Sequence, residues 1–214
     1  MHKLVIFDWD GTLMDSGARI VSAMQTSARR AGLPVPSEAA VKDIIGISLQ
    51  PAMVRLFGAL SETQAALLLD CYREEYVERD STPTPMFAGA YDLLDNLKSK
   101  GVLMAVATGK ARRGLHRVWQ ETATGHYFVT SRCGDETASK PHPQMLSEIL
   151  LETGIDARHA VMIGDTTYDM QMAEQLKMDR IAMSHGVHEE ARLAAHSPLT
   201  IADSLTELQA YLLG

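Results

Sequence analysis

Apolar residues fall along this chain in short unbroken runs: Lys3–Phe7, Val102–Ala107, Tyr127–Thr130, Ala160–Ile163, Arg180–Met183 and Leu199–Ala202. Most are rich in Val, Ile and Met and bounded by Gly, Asp, Ser or Thr, the pattern of strands buried on both faces. Between them the spacing predicts helices over Ala90–Lys100, Pro143–Thr153, Tyr168–Leu176 and Leu205–Leu213. Gly101 and Gly154 follow two of these where a C-terminal cap favours glycine. Strands alternating with helices imply right-handed crossovers and a doubly wound parallel α/β sheet with helices on both faces.

The alternation breaks between Ser16 and Pro83. Helical runs cover Arg19–Ala31, Glu38–Ile45, Leu49–Phe57 and Ser61–Arg79, with no convincing strand, and Pro34, Pro36, Pro83 and Pro85 punctuate the connections. Ser61 and Gln64 read as a capping box. The expected organisation is an α/β core of residues 1–15 and 84–214 with an inserted all-helical domain of residues 16–83.

Composition narrows the function classes. The net charge of −7, from 20 basic and 27 acidic side chains, argues against a broad nucleic-acid surface but leaves room for a small phosphorylated ligand. No apolar run approaches the ~18 residues of a membrane span, and Asp8 and Asp10 interrupt the stretch a signal peptide would need. A cytoplasmic location is therefore expected, with no membrane partner. Cys71 and Cys133 are too few for a disulfide framework or a zinc site and are expected to be reduced and structural.

The candidate chemistry sits at strand ends. The first strand runs into Asp8-Trp9-Asp10-Gly11-Thr12, two carboxylates two residues apart. Another ends in Gly164-Asp165, with Asp169 four residues on near a helix start. A third ends in Thr108-Gly109, a hydroxyl followed by a glycine that permits close backbone approach, with N–H groups of the next helix available to an anion. Lys140 precedes Pro141 in a stiff loop. Ligands of open α/β sheets bind beyond the carboxyl ends of strands, where these residues converge. Four acids there would repel a phosphate dianion unless a cation compensates; Mg²⁺ together with Lys140 would do so.

In order and separation these residues resemble the four motifs of the haloacid dehalogenase superfamily: Asp8-Trp9-Asp10-Gly11-Thr12 the first, Thr108 the second, Lys140 the third, Gly164-Asp165 with Asp169 the fourth. The helical insert is similar to that family's small cap domain. Ile44–Leu49, Lys140–Pro143 and Gly164–Met170 look most like the phosphoglycolate phosphatase-like branch. The resemblance implies a phosphatase in which Asp8 attacks phosphorus and Asp10 is acid and base. Thr108, Gly109 and Lys140 would hold the phosphoryl oxygens. Mg²⁺ would be bound by Asp8, Asp165 and the Asp10 carbonyl, with Asp169 orienting a metal-bound water or Lys140.

From the insert, Gly46 and Arg55 are candidates for inspecting the leaving group, while Asp15-Ser16 is expected to cap the first insert helix and mark a hinge. Lys110 and Arg112 face either the crevice or the surface. The implied substrate is a small phosphomonoester, phosphoglycolate or a sugar phosphate foremost. A phosphomutase would share the first-strand acids, whereas a dehalogenase would need no metal. A phospho-acceptor module would lack the insert, and a silent binding protein would not need the full acid set. Oligomeric state is not legible.

Overall fold

A computed structural model describes residues 2–214. Six parallel strands, β1 (Leu4–Phe7), β2 (Leu103–Ala107), β3 (Thr130–Arg132), β4 (Ala160–Gly164), β5 (Asp179–Met183) and β6 (Ile201–Ala202), form one sheet in the order β3-β2-β1-β4-β5-β6. The helices are α1 (Gly17–Arg30), α2 (Glu38–Asp43), α3 (Leu49–Phe57), α4 (Glu62–Glu74), α5 (Ala90–Ser99), α6 (Arg112–Thr122), α7 (Gln144–Thr153), α8 (Thr167–Gln175), α9 (Glu190–Ala194) and α10 (Leu205–Leu213). No single helix among the described residues is long and apolar enough to cross a membrane.

The central strand explains the two-sided architecture. All four residues of β1 are buried, and successive side chains must point to opposite faces. Val5 and Phe7 join one cluster with Leu93, Leu94 and Leu97 of α5, Leu115 of α6 and Leu208 of α10. Leu4 and Ile6 join another with Met145, Leu146 and Ile149 of α7 and Met172 of α8. Both faces are thus covered, which a continuous apolar run requires.

The predicted helix over Leu205–Leu213 is observed with those bounds, and Gly101 and Gly154 take the left-handed conformation. One strand is displaced. The chain expected to pair at Tyr127–Thr130 instead makes a 3-10 turn at Gly125–Tyr127, and β3 starts at Thr130. Phe128 stacks on Trp119 at 5.5 Å and meets Trp9 edge-on at 6.1 Å, so its apolar side chain serves a loop that packs on the core. β3 pairs only with β2 at the sheet edge, where a polar Thr-Ser-Arg strand is tolerated.

Helices α1 to α4 and a π-helical turn at Glu75–Arg79 fill the stretch between β1 and α5, and the Ser61–Gln64 capping box forms. They gather their own apolar cluster, with Ile20, Met24, Val41, Ile45, Ala52 and Tyr76. The chain leaves and re-enters the α/β part side by side. The Asp15 N–H donates to the Pro85 carbonyl at 2.8 Å, and the Phe87 N–H donates to the Leu13 carbonyl at 2.9 Å.

Candidate active site

Sheet order places the site. Successive connections run from β1 out to β3 on one side, then jump back across β1 to β4 on the other. The reversal opens a crevice at the carboxyl ends of β2, β1 and β4. Asp8 directly follows β1, Thr108 follows β2 and Asp165 follows β4. Residues 157 positions apart in sequence are thereby brought to neighbouring strand ends.

Asp8, Asp165 and Asp169 are buried, and each offers a carboxylate oxygen within 4.8 Å of the others. Lys140 Nζ lies 2.9 Å from Asp8 Oδ1 and 2.7 Å from Asp169 Oδ1, with its side chain wholly buried. Asp8 Oδ1 also accepts from the Trp9 N–H at 2.7 Å. Asp169 Oδ2 accepts from the Thr166 hydroxyl at 2.7 Å and the Thr166 N–H at 3.1 Å, completing a capping box at the start of α8. Asp165 accepts from the Thr12 hydroxyl at 2.7 Å and the Val187 N–H at 2.9 Å. Asp8 Oδ2 is buried without a hydrogen-bond partner among the described residues.

Three carboxylates against one ammonium leave an excess of two negative charges in a dry place. The titration directions express it. Burial pushes the Asp8 carboxyl well up, with Lys140 opposing and Asp169 and Asp165 adding to the rise. Burial, then Asp169, lifts Asp165 to about 7. Burial alone would lower the Lys140 ammonium, but Asp169 and Asp8 outweigh it and raise its pKa. The donor set is all oxygen, the excess is two charges, and one carboxylate oxygen is free. A hard divalent cation fits each of these features. Of the three, only Asp8 keeps an unengaged oxygen: Asp169 faces Lys140 and Thr166 with its two, and Asp165 faces Thr12 and Val187.

Glycine is required at several points here, Gly11 and Gly109 among them. Gly11 has φ +84°, and any Cβ on it would run into the Asp165 carboxylate. A Cβ on Gly109 would stand 2.5 Å from the Gly46 carbonyl oxygen and 2.6 Å from that of Ile47. The loop between α2 and α3 therefore rests directly on the Thr108-Gly109 strand end, and the Ser48 N–H donates to Ser139 Oγ at 2.9 Å. Gly46 lies at this seam. Thr108 is buried, its hydroxyl accepting from the Lys110 N–H at 3.2 Å. Arg55 is half exposed and engaged where insert and core meet, donating to the Tyr168 hydroxyl at 2.7 Å and lying 3.3 Å from Asp43.

Asp10 stands apart from the triad's hydrogen bonds. It accepts from Ser16 Oγ at 2.6 Å and pairs with Lys110 Nζ at 3.0 Å. Ser16 does occupy the N-cap position of α1, but its hydroxyl is spent on Asp10 and makes no capping bond. Lys110, undecided from sequence between crevice and surface, is a largely enclosed partner of Asp10, its side chain 9% exposed. Arg112 instead ties the start of α6 to Glu136, 2.7 Å away, and to Ser131 Oγ at 2.6 Å. The one signal for Lys110 was its place two residues after Thr108; that it meets Asp10 depends on β1 and β2 being neighbours. Cys71 and Cys133 are free and buried, and burial pushes the Cys133 thiol up to about 12, as an unreactive thiol requires.

The family model for haloacid dehalogenase-like hydrolases matches residues 5–183. The chain belongs to that family. A protein named probable phosphatase IndB from Dickeya dadantii is 32% identical over 212 residues, covering 97% of this chain and 92% of that one. Phosphoglycolate phosphatase 1 of Pseudomonas aeruginosa is 30% identical over 217 residues, covering 97% and 79%. Among solved structures, a hydrolase from Pseudomonas syringae superposes with a TM-score of 0.89 at 22% identity, covering 99% and 98%, and supports the fold. The expected family, the α/β class and a hydrolytic enzyme related to phosphatases all stand.

Proposed function

We propose that this protein hydrolyses small phosphomonoesters through a phosphoryl-aspartate on Asp8. The observation that carries the reading is the Asp8 carboxylate, oriented through Oδ1 by Trp9 and Lys140 while Oδ2 is buried with no partner. A buried polar atom without a partner costs free energy unless a ligand completes it. Mg²⁺, held by Asp8, Asp165 and the Asp10 carbonyl, would neutralise charge on the phosphoryl oxygens.

The chain's own groups then divide the work. An Asp8 oxygen attacks phosphorus, the P–O bond to the leaving group breaks, and Asp10 delivers a proton to the departing oxygen. Water next attacks phosphorus with Asp10 taking its proton; the acyl-phosphate P–O bond breaks, inorganic phosphate leaves and Asp8 is restored. Lys140, Thr108 and the Gly109 N–H hold the phosphoryl oxygens, and Asp169 fixes Lys140 through the 2.7 Å contact.

Residues 16–83 serve as a cap, hinged where Asp15 meets Pro85, and the Gly46–Ser48 loop closes on the Gly109 strand end to exclude water. Phosphoglycolate and sugar phosphates are the leading substrates, with a cytoplasmic enzyme acting on a small phosphorylated metabolite. The decisive experiment is phosphate release from a panel of phosphomonoesters, with Mg²⁺ and with chelator, for wild type and Asp8→Asn. Mg²⁺-dependent turnover that disappears in the folded variant supports the proposal. Turnover surviving in Asp8→Asn sinks the covalent step, and a bisphosphate interconverted without phosphate release would favour a mutase.

A further inference from the structure

The loop after β5 touches both the acidic site and the insert. Two donors orient Asp165: the Thr12 hydroxyl at 2.7 Å on Oδ1 and the Val187 N–H at 2.9 Å on Oδ2. Each carboxylate oxygen keeps a second lone pair, so these bonds aim Asp165 while leaving it able to hold a cation. The loop backbone runs directly against it. A Cβ on Gly186 would overlap the Asp165 side chain, so glycine there lets Val187 present its N–H at this range.

The loop is anchored on either side of Val187. His185 donates from Nε2 to the Thr12 carbonyl at 3.1 Å, and its ring stacks on Phe87 at 3.9 Å. Phe87 lies in the segment returning from the insert, where its N–H donates to the Leu13 carbonyl. On the other side, buried His188 accepts the Thr167 N–H at Nδ1, 3.0 Å away, at the start of α8. Between these anchors Val187 turns its side chain to the insert. It packs against the insert's apolar cluster, and its Cγ1 would lie 3.4 Å from a Cβ placed on Gly17, the first residue of α1.

Resting on the reading of Asp165 as a Mg²⁺ ligand, we propose that Val187 is a positioning residue that couples seating of the insert to the cation site. Its N–H and its side chain branch from one Cα. A displacement of α1 therefore reaches the hydrogen bond on Asp165 with no side chain in between. Groups that hold a metal ligand from behind change metal affinity about 10–100-fold when lost. The coupling runs both ways: what the seated insert adds to Mg²⁺ affinity, Mg²⁺ returns to the seating of the insert.

Val187→Ala keeps the N–H and shortens only the arm against the insert. Its Mg²⁺ Kd is measured by isothermal titration calorimetry beside wild type and Val41→Ala, which trims the same apolar cluster from α2. Val187→Ala should weaken Mg²⁺ binding about fivefold or more, the lower end of coupling between sites. Val41→Ala should leave the Kd near the wild-type value. Hydrogen exchange gives the reverse reading: Mg²⁺ should slow exchange of the α1 amides in wild type, and that protection should largely vanish in Val187→Ala.

A Val187→Ala protein with lower Tm and unchanged Kd would reduce the residue to packing and overturn the inference. Equal weakening in Val41→Ala does the same, as does α1 exchange in wild type that ignores Mg²⁺. In each of these cases Mg²⁺-dependent phosphate release and its loss in Asp8→Asn still stand. A wild type that binds no Mg²⁺ overturns both the coupling and the metal reading.

Discussion

Two lysines, each paired with one of the first-strand aspartates, divide this site into unlike halves. Lys140 faces Asp8 and Asp169 with Asp165 beside them, so its surroundings are short of positive charge. Lys110 pairs one to one with Asp10, and the arginines gathered with it near Tyr76 have acids of their own, Arg117 with Glu121 and Arg19 beside Asp80, so its surroundings are balanced. Asp8 and Asp10 are two residues apart, yet one half has room for a further cation and the other is already balanced. The chemical role of a carboxylate here is decided by its neighbours rather than by its own identity.

The largest expected effect falls on Asp8→Asn, which should lower kcat by about 10⁴-fold or more, the scale on which removing a covalent nucleophile acts. Rapid-quench and steady-state assays on variant protein with a native circular dichroism spectrum check this. Retention of a tenth of wild-type activity would break the division between the two halves.

Next comes stability. Lys140→Met should destabilise by about 3–5 kcal/mol, since it leaves buried carboxylates with no ammonium. Lys110→Met should cost less, roughly 1–3 kcal/mol, because it strands a single carboxylate. Urea denaturation of the metal-free proteins reads both values, and equal losses would mean that the two lysines sit in equivalent surroundings.

A third expectation concerns Mg²⁺ itself. At a hundredfold excess over its Kd it should stabilise the native protein by about 2.7 kcal/mol. That raises Tm by about 5–10 °C for a chain of this size. The shift should disappear in Asp165→Asn and persist in Lys110→Met. If it persists in Asp165→Asn, the cation lies elsewhere. The smallest effect belongs to Ser16→Ala, which removes the 2.6 Å hydrogen bond to Asp10. About 1 kcal/mol, or several-fold in kcat, is expected, with little change in the response to Mg²⁺.

Much of the core was legible because a strand buried on both faces must be apolar throughout, as β1, β2 and β4 are, while β5 is so only from Ile181 to Met183. β3 was not, because an edge strand has no such constraint, and the apolar Tyr127-Phe128-Val129 beside it serves an aromatic loop cluster. Helix α6 carries few apolar residues and buries only Leu115 and Val118, so its range gave no clear periodic signal. The insert read correctly as helical, and its capping box formed as written.

Sequence alone therefore pointed to the strand-end residues: Asp8, Asp10, Thr108 and Asp165 stand where short apolar runs end, Asp169 follows at a helix start, and Lys140 precedes a proline in a loop. Hydrophobic burial and turn propensity are local properties, and local order in the chain is enough to reveal them. Tertiary structure decided the pairings, namely Lys140 with Asp8 and Asp169, Lys110 with Asp10, Ser16 as a donor to Asp10, and three cations around Tyr76. These depend on strand order and on how the insert seats over the sheet. Electrostatic energy falls with distance through space and takes no account of separation along the chain.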